Sequence, residues 1–145
     1  MFLAEGVERL PTTFDGLADH VTLLFPWGSL LRGALGLDPA ISASIARLVA
    51  PGGRLEMIVS VVERDRAAIG SGEGPFGAPD IGALTRKFAD FGFDAVTTCR
   101  LSPDEIRATG SSWARRLRSD PDRPVWHVEM RLPAVDETTC AATPP

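Results

Sequence analysis

The sequence predicts an α/β fold, a mostly parallel sheet with an antiparallel last strand. Two observations lead there. Apolar runs of strand length alternate along the chain with segments of helical spacing, an order that builds a sheet with helices on both faces. The final apolar run follows short connections, which places an antiparallel strand at or near a sheet edge.

The elements follow in order. Phe2-Leu3-Ala4 is a short apolar start, and Phe14–Ala18 reads as one turn of helix. His20–Phe25 contains the run Val21-Thr22-Leu23-Leu24, a strand stopped by Pro26 and Gly28. Asp38-Pro39 opens a helix, with Asp as N-cap and Pro at the first position. That helix aligns Ile41, Ile45, Leu48 and Val49 and is expected to end at Pro51-Gly52-Gly53. Arg54–Val62 is a strand, Gly70–Ala78 a glycine-rich loop, and Pro79–Phe91 a helix with Ile81, Leu84, Phe88 and Phe91 on one face. Phe93–Leu101 is a strand. Ser102-Pro103-Asp104-Glu105 has the cap, proline and first-turn acids of a helix start, running to about Ala108. Ser111 or Ser112 caps a short helix over Trp113–Leu117, Asp120–Pro124 is a polar turn, and Val125–Leu132 is the last strand.

Composition narrows the function classes. The 145 residues, 44% hydrophobic, suit one domain over residues 1–132, followed by a polar, disordered tail over 133–145. A net charge of −4 gives no global pull toward nucleic acid or an anionic membrane, so any nucleic-acid contact must be a local patch. Of the 15 basic residues only Lys87 is lysine, and arginine favours planar, bidentate and stacking contacts. Cys99 and Cys140 suggest neither zinc nor a disulfide framework. With no run of membrane-span length and no signal-peptide pattern, the expectation is a soluble cytoplasmic protein.

Few motifs carry chemistry. Gly72-Glu73-Gly74-Pro75-Phe76-Gly77 fits G-x-G-x-x-G in letters only: no strand directly precedes it, Pro75 removes a backbone donor, and Glu73 would repel a pyrophosphate. His20 and His127 have no neighbours at ligand spacing, so no metal site is expected. Trp27 sits on the turn Phe25-Pro26-Trp27-Gly28, at the carboxyl end of a strand, where open α/β sheets bind ligands. It is either a hydrophobic plug on the sheet or a stacking surface. Gly110–Arg118 places Trp113 beside Arg115, Arg116 and Arg118, with Arg123 close behind. Aromatic stacking plus arginine charge is a means of gripping a nucleotide. The same pattern also fits a solvated amphipathic helix with Trp113 and Leu117 turned to the core.

Leu24–Leu31 (LFPWGSLL), Ser111–Leu117 (SSWARRL) and Glu8-Arg9-Leu10-Pro11 together resemble the aminoglycoside-resistance 16S rRNA methyltransferases, which modify N1 of a decoding-site adenine. The three motifs stand in family order, and the likeness runs to about Leu132. It implies that residues 1–132 are the C-terminal part of a Rossmann-like class I methyltransferase fold, dependent on S-adenosylmethionine. Trp27 and Trp113 would sandwich the flipped adenine. Gly6, Glu8, Leu24, Ser29 and Ser111 would contact cofactor, and Arg115, Arg116, Arg118 and Arg123 would face 16S rRNA in the small ribosomal subunit. The resemblance also implies a chain without the family's first strand, glycine-rich cofactor loop and ribose-holding acid, so poor cofactor binding and an inactive chain are expected possibilities. A non-catalytic RNA- or nucleotide-binding remnant is the alternative. The oligomeric state is open.

Overall fold

A computed structural model describes residues 4–61, 81–117 and 123–134. Two short 3-10 turns, Val7–Arg9 and Thr12–Phe14, lead into strand β1 (Ala18–Leu24). Helices α1 (Gly28–Ala34) and α2 (Pro39–Ala46) follow, then β2 (Val49–Val59), α3 (Ile81–Ala89) and β3 (Ala95–Arg100). Helices α4 (Pro103–Ala108) and α5 (Ser112–Leu117) precede β4 (Trp126–Arg131). The glycine-rich loop, the first three residues, Arg118 and residues 135–145 of the expected tail lie outside the described residues.

The four strands form one sheet in the order β1-β2-β4-β3. Strands β1 and β2 are parallel, and β4 is antiparallel to both of its neighbours, β2 and β3. Three strands therefore run one way and the last runs against them, as the sequence predicts. The last strand lies one place in from the edge, slotted between β2 and β3.

Local chemistry explains the elements that were legible. Asp38 accepts from the backbone N–H of Ile41 and Pro39 follows it, so α2 starts where expected. Ser102 and Glu105 form a reciprocal capping box at α4. Helix α1 carries no such signal. Its sequence, GSLLRGA, contains two glycines, poor helix formers. Packing compensates: Leu31 and Ala34 are buried, and a Cβ on Gly33 would lie 2.3 Å from Ile41 Cγ2. The bare Gly33 lets α1 approach α2, and the buried Ser42 hydroxyl bonds back to the Gly33 carbonyl at 2.8 Å.

Two expectations are corrected. Helix α2 stops at Ala46, and Val49 begins β2, which runs on through Pro51-Gly52-Gly53. Tertiary pairing decides this: Gly52 N–H donates to the Leu132 carbonyl, and Leu132 N–H to that of Gly53. The helical turn expected at Phe14–Ala18 is instead the 3-10 turn Thr12–Phe14, with Ala18 already in β1.

Among the described residues the apolar core lies on one face of the sheet. There Leu55, Met57 and Val59 of β2 and Val128 and Met130 of β4 meet Leu31, Ile45, Leu84 and Phe88 from the helices. Phe88 packs edge-on against Phe91 and Phe93, both at 5.9 Å between centroids. The other face is polar, because alternate residues of each strand point there. His20, Glu56 and His127 form a row across β1, β2 and β4: each histidine Nε2 lies 2.7 Å from a different Glu56 oxygen. Partial burial pushes the Glu56 carboxyl up, but hydrogen bonds from His127 and His20 outweigh it and hold it below its ordinary range.

Candidate active site

Strands β1, β2 and β3 end at the same side of the sheet, and β4 begins there. Ligand sites of open α/β sheets occupy this end. The first piece is the turn after β1. Phe25 has φ +49 although it is not glycine and precedes proline, a conformation that costs on the order of 1–3 kcal/mol. Phe25 N–H donates to the Ile58 carbonyl at 2.8 Å, tying the strained turn to the end of β2. Pro26 is buried, Gly28 takes φ +58, and Trp27 between them caps α1 with its indole 59% exposed. Trp27 is therefore no plug.

The second piece follows β3. Past α4 the chain turns at Gly110, and Ser111 Oγ accepts from Trp113 N–H at 3.2 Å, starting α5. Trp113 is 50% exposed while its neighbour Ala114 is buried. The expectation of a core-facing Trp113 is thereby excluded. Strands β1 and β3 are the outer two; Trp27 follows β1 directly, and Trp113 follows β3 after helix α4.

Arg123 stands just before β4, against the residue that follows β2. Its Nε donates to Ser60 Oγ at 2.8 Å and its Nη2 to the Ser60 carbonyl at 3.2 Å. The third piece is a cleft of about 600 Å³ that runs along β1, from Leu17, Ala18 and Leu48 at its amino end to Ser29 beyond its carboxyl end, with Gly6 and Glu8 also in its lining. Arg47 holds its rim: it pairs with Asp15 and donates to the Leu10 carbonyl at 2.7 Å, fixing both 3-10 turns against α2. A Cβ on Gly6 would meet the Glu8 carboxylate at 2.6 Å, so Glu8 folds back over the bare Gly6 and an added side chain would displace it.

The sequence-derived residues separate accordingly. Gly6, Glu8 and Ser29 share the cleft. Leu24 does not line it: it stands on the polar face of β1, opposite Ile58. Ser111 caps α5. Arg115 and Arg116 lie on α5, and Arg123 is bound to Ser60. Arg47 and Ser60 have no sequence signal, since their partners lie 37 and 63 positions away. Among the described residues, no group of three His, Cys, Asp or Glu side chains could hold a metal ion, and no helix is long and apolar enough to cross a membrane.

A three-plus-one sheet with its antiparallel strand one place in from the edge fits part of a Rossmann-like fold. Comparison with known proteins specifies it. The family model for NpmA, 16S rRNA (adenine(1408)-N(1))-methyltransferase, matches residues 1–132. A 16S rRNA (adenine(1408)-N(1))-methyltransferase from Streptoalloteichus tenebrarius is 33% identical over 126 residues, 85% of this chain and 57% of that protein. The crystal structure of the 16S rRNA methyltransferase KamB superposes with a TM-score of 0.70 at 31% identity, covering 88% of this chain and 60% of that one. A variant of the corresponding enzyme from Catenulisporales acidiphilia, with cosubstrate SAM, gives a TM-score of 0.67 at 27% identity, over 93% and 61%. The chain belongs to the 16S rRNA (adenine(1408)-N(1))-methyltransferase family. It spans a little over half the length of the Streptoalloteichus relative.

Proposed function

We propose that this chain forms the substrate-gripping part of a cytoplasmic, S-adenosylmethionine-dependent methyltransferase. Its target would be N1 of a decoding-site adenine in 16S rRNA of the small ribosomal subunit, with aminoglycoside resistance as the consequence. The observation that carries the proposal is the pair of exposed indoles, Trp27 on the turn after β1 and Trp113 on α5. Family membership supports it.

The residues suit the chemistry. S-adenosylmethionine supplies an electrophilic sulfonium methyl. The cleft volume lies within the range of small-molecule sites, and its apolar wall with a few polar groups is their usual make-up. Glu8, folded over Gly6, offers a carboxylate acceptor there, and the exposed Ser29 hydroxyl a donor or acceptor. Adenine N1 is a neutral lone-pair nucleophile, so the chain needs no strong base and acts by positioning. Leaving the helical stack costs the base a few kcal/mol. Stacking on Trp27 and Trp113 offsets this by about 1–3 kcal/mol for a stacked base. The methylated product is cationic, and indole faces stabilise a cation. Arg123, with Arg115, Arg116 and Arg118, would contact the RNA backbone.

The test is to incubate the protein with small ribosomal subunits and methyl-labelled S-adenosylmethionine, then map the modified base by primer extension. Label at the N1 position of adenine 1408, cut about 10–100-fold by Trp27→Ala and by Trp113→Ala, is the expected result. Subunit binding without label would replace it with the non-catalytic RNA-binding alternative. Label that survives both substitutions would remove the clamp.

A further inference from the structure

Ser60 follows β2 directly, at the carboxyl end of the sheet, and is only 9% exposed. Nothing in the sequence motifs points to it. Its hydroxyl donates to the Pro124 carbonyl at 2.7 Å and accepts from Arg123 Nε at 2.8 Å. Its carbonyl accepts from Arg123 Nη2 at 3.2 Å. One residue thus uses hydroxyl and backbone together to hold the Nε–Nη2 side of the guanidinium, and pins the backbone of the next residue, Pro124. We propose that Ser60 is a positioning residue, orienting the Arg123 guanidinium toward an RNA phosphate at the end of the sheet that carries Trp27 and Trp113.

A guanidinium is planar with five N–H donors in a fixed fork, so two bonds along one side set both its plane and its direction. Phosphate is met best by such a fork held in advance, because less rotamer freedom is lost on binding. The hydroxyl must both donate and accept for this arrangement, which threonine can reproduce and alanine cannot. Ser60 itself touches no RNA in this scheme. It acts through Arg123, at the end of the sheet where β2 stops and β4 is about to start.

The proposal rests on the RNA-binding reading above, and its test separates the two. Binding of the full chain to small ribosomal subunits would be measured against salt concentration for the wild type, Ser60→Ala, Ser60→Thr, Arg123→Gln and Ser60→Ala/Arg123→Gln. Arg123→Gln should weaken binding about tenfold and lower the salt slope by about one phosphate contact. Ser60→Ala should lose a similar fraction of affinity, Ser60→Thr should restore it, and Ser60→Ala should add nothing on top of Arg123→Gln. In parallel, the Arg123 Nε–H resonance of nitrogen-labelled protein should be slow to exchange in the wild type and Ser60→Thr, and fast in Ser60→Ala. If the wild type binds but Ser60→Ala keeps its affinity and salt slope, or loses affinity additively with Arg123→Gln, the positioning role fails and the RNA reading stands. If the wild type does not bind subunits, the RNA reading fails and takes the proposal with it, even with the resonance protected.

Discussion

The chain places its three tryptophans in two environments. Trp126, on β4, is partly buried against the apolar core. Trp27 and Trp113 stand at the end of the sheet, 59% and 50% exposed. The first is held in a ladder, paired with Val59 and Arg100. Trp27 sits where β1 gives way to α1, on a turn whose preceding residue is strained, and Trp113 sits in the first turn of α5, after α4. An exposed indole forgoes burial, and a strained turn costs free energy, so these two sites weaken the fold where the third supports it. Such expenditure clusters at functional sites, which favours the pair over the buried residue as the proposed base-binding groups.

Substitutions sharpen that contrast. Trp126→Ala should have the largest effect, a loss of about 3 kcal/mol of stability read from the urea midpoint, because it empties packed space. Trp27→Ala and Trp113→Ala should leave that midpoint nearly unchanged. Each should instead reduce methylation or subunit binding by about 10–100-fold, the worth of one lost stacking face. A large stability loss in either would return it to the core. Gly6→Ala tests the cleft. The added Cβ displaces the Glu8 carboxylate, and calorimetry should show S-adenosylmethionine affinity falling about fivefold to tenfold, the value of one hydrogen bond to a charged group. An unchanged affinity would remove Glu8 from the site.

The smallest effect belongs to the polar face of the sheet, away from the tryptophans. The Glu56 carboxyl is held below the ordinary value of 4.5 in the folded protein. Its contribution is therefore present above that pH and is lost as pH falls through the lowered folded value. Stability measured from pH 6 down to pH 3 should decline more steeply in the wild type than in Glu56→Gln, by about 1 kcal/mol or less. Parallel curves would show that the histidine row adds nothing.

The comparison also explains which features the sequence reveals. Asp38 and Ser102 announce their helices because a cap and its target lie three residues apart. The strands of the sheet and the turn holding Trp27 are legible for the same reason, since apolar runs and Pro–Gly breaks are local. Helix α1 is hidden because two glycines weaken its propensity, and only burial of Leu31 and Ala34 makes it form. The candidate site divides in the same way. Its aromatic and arginine residues stand in recognisable motifs, and the family follows from them. Whether an indole is a plug or a surface does not, because exposure depends on what packs against it.

By itself, then, the sequence determined the α/β class, the direction of the last strand, the caps, the aromatic turn and the family. Tertiary structure alone decided that β4 inserts between β2 and β3, that Trp27 and Trp113 are exposed, and that Arg47 fixes the rim of the cleft. It also decided that Ser60 holds Arg123 across 63 positions and that Glu56 joins histidines 36 and 71 positions away. The reason is one of range. Periodicity and capping act over a few residues and leave a trace in spacing, while strand pairing brings together groups whose separation along the chain carries no pattern.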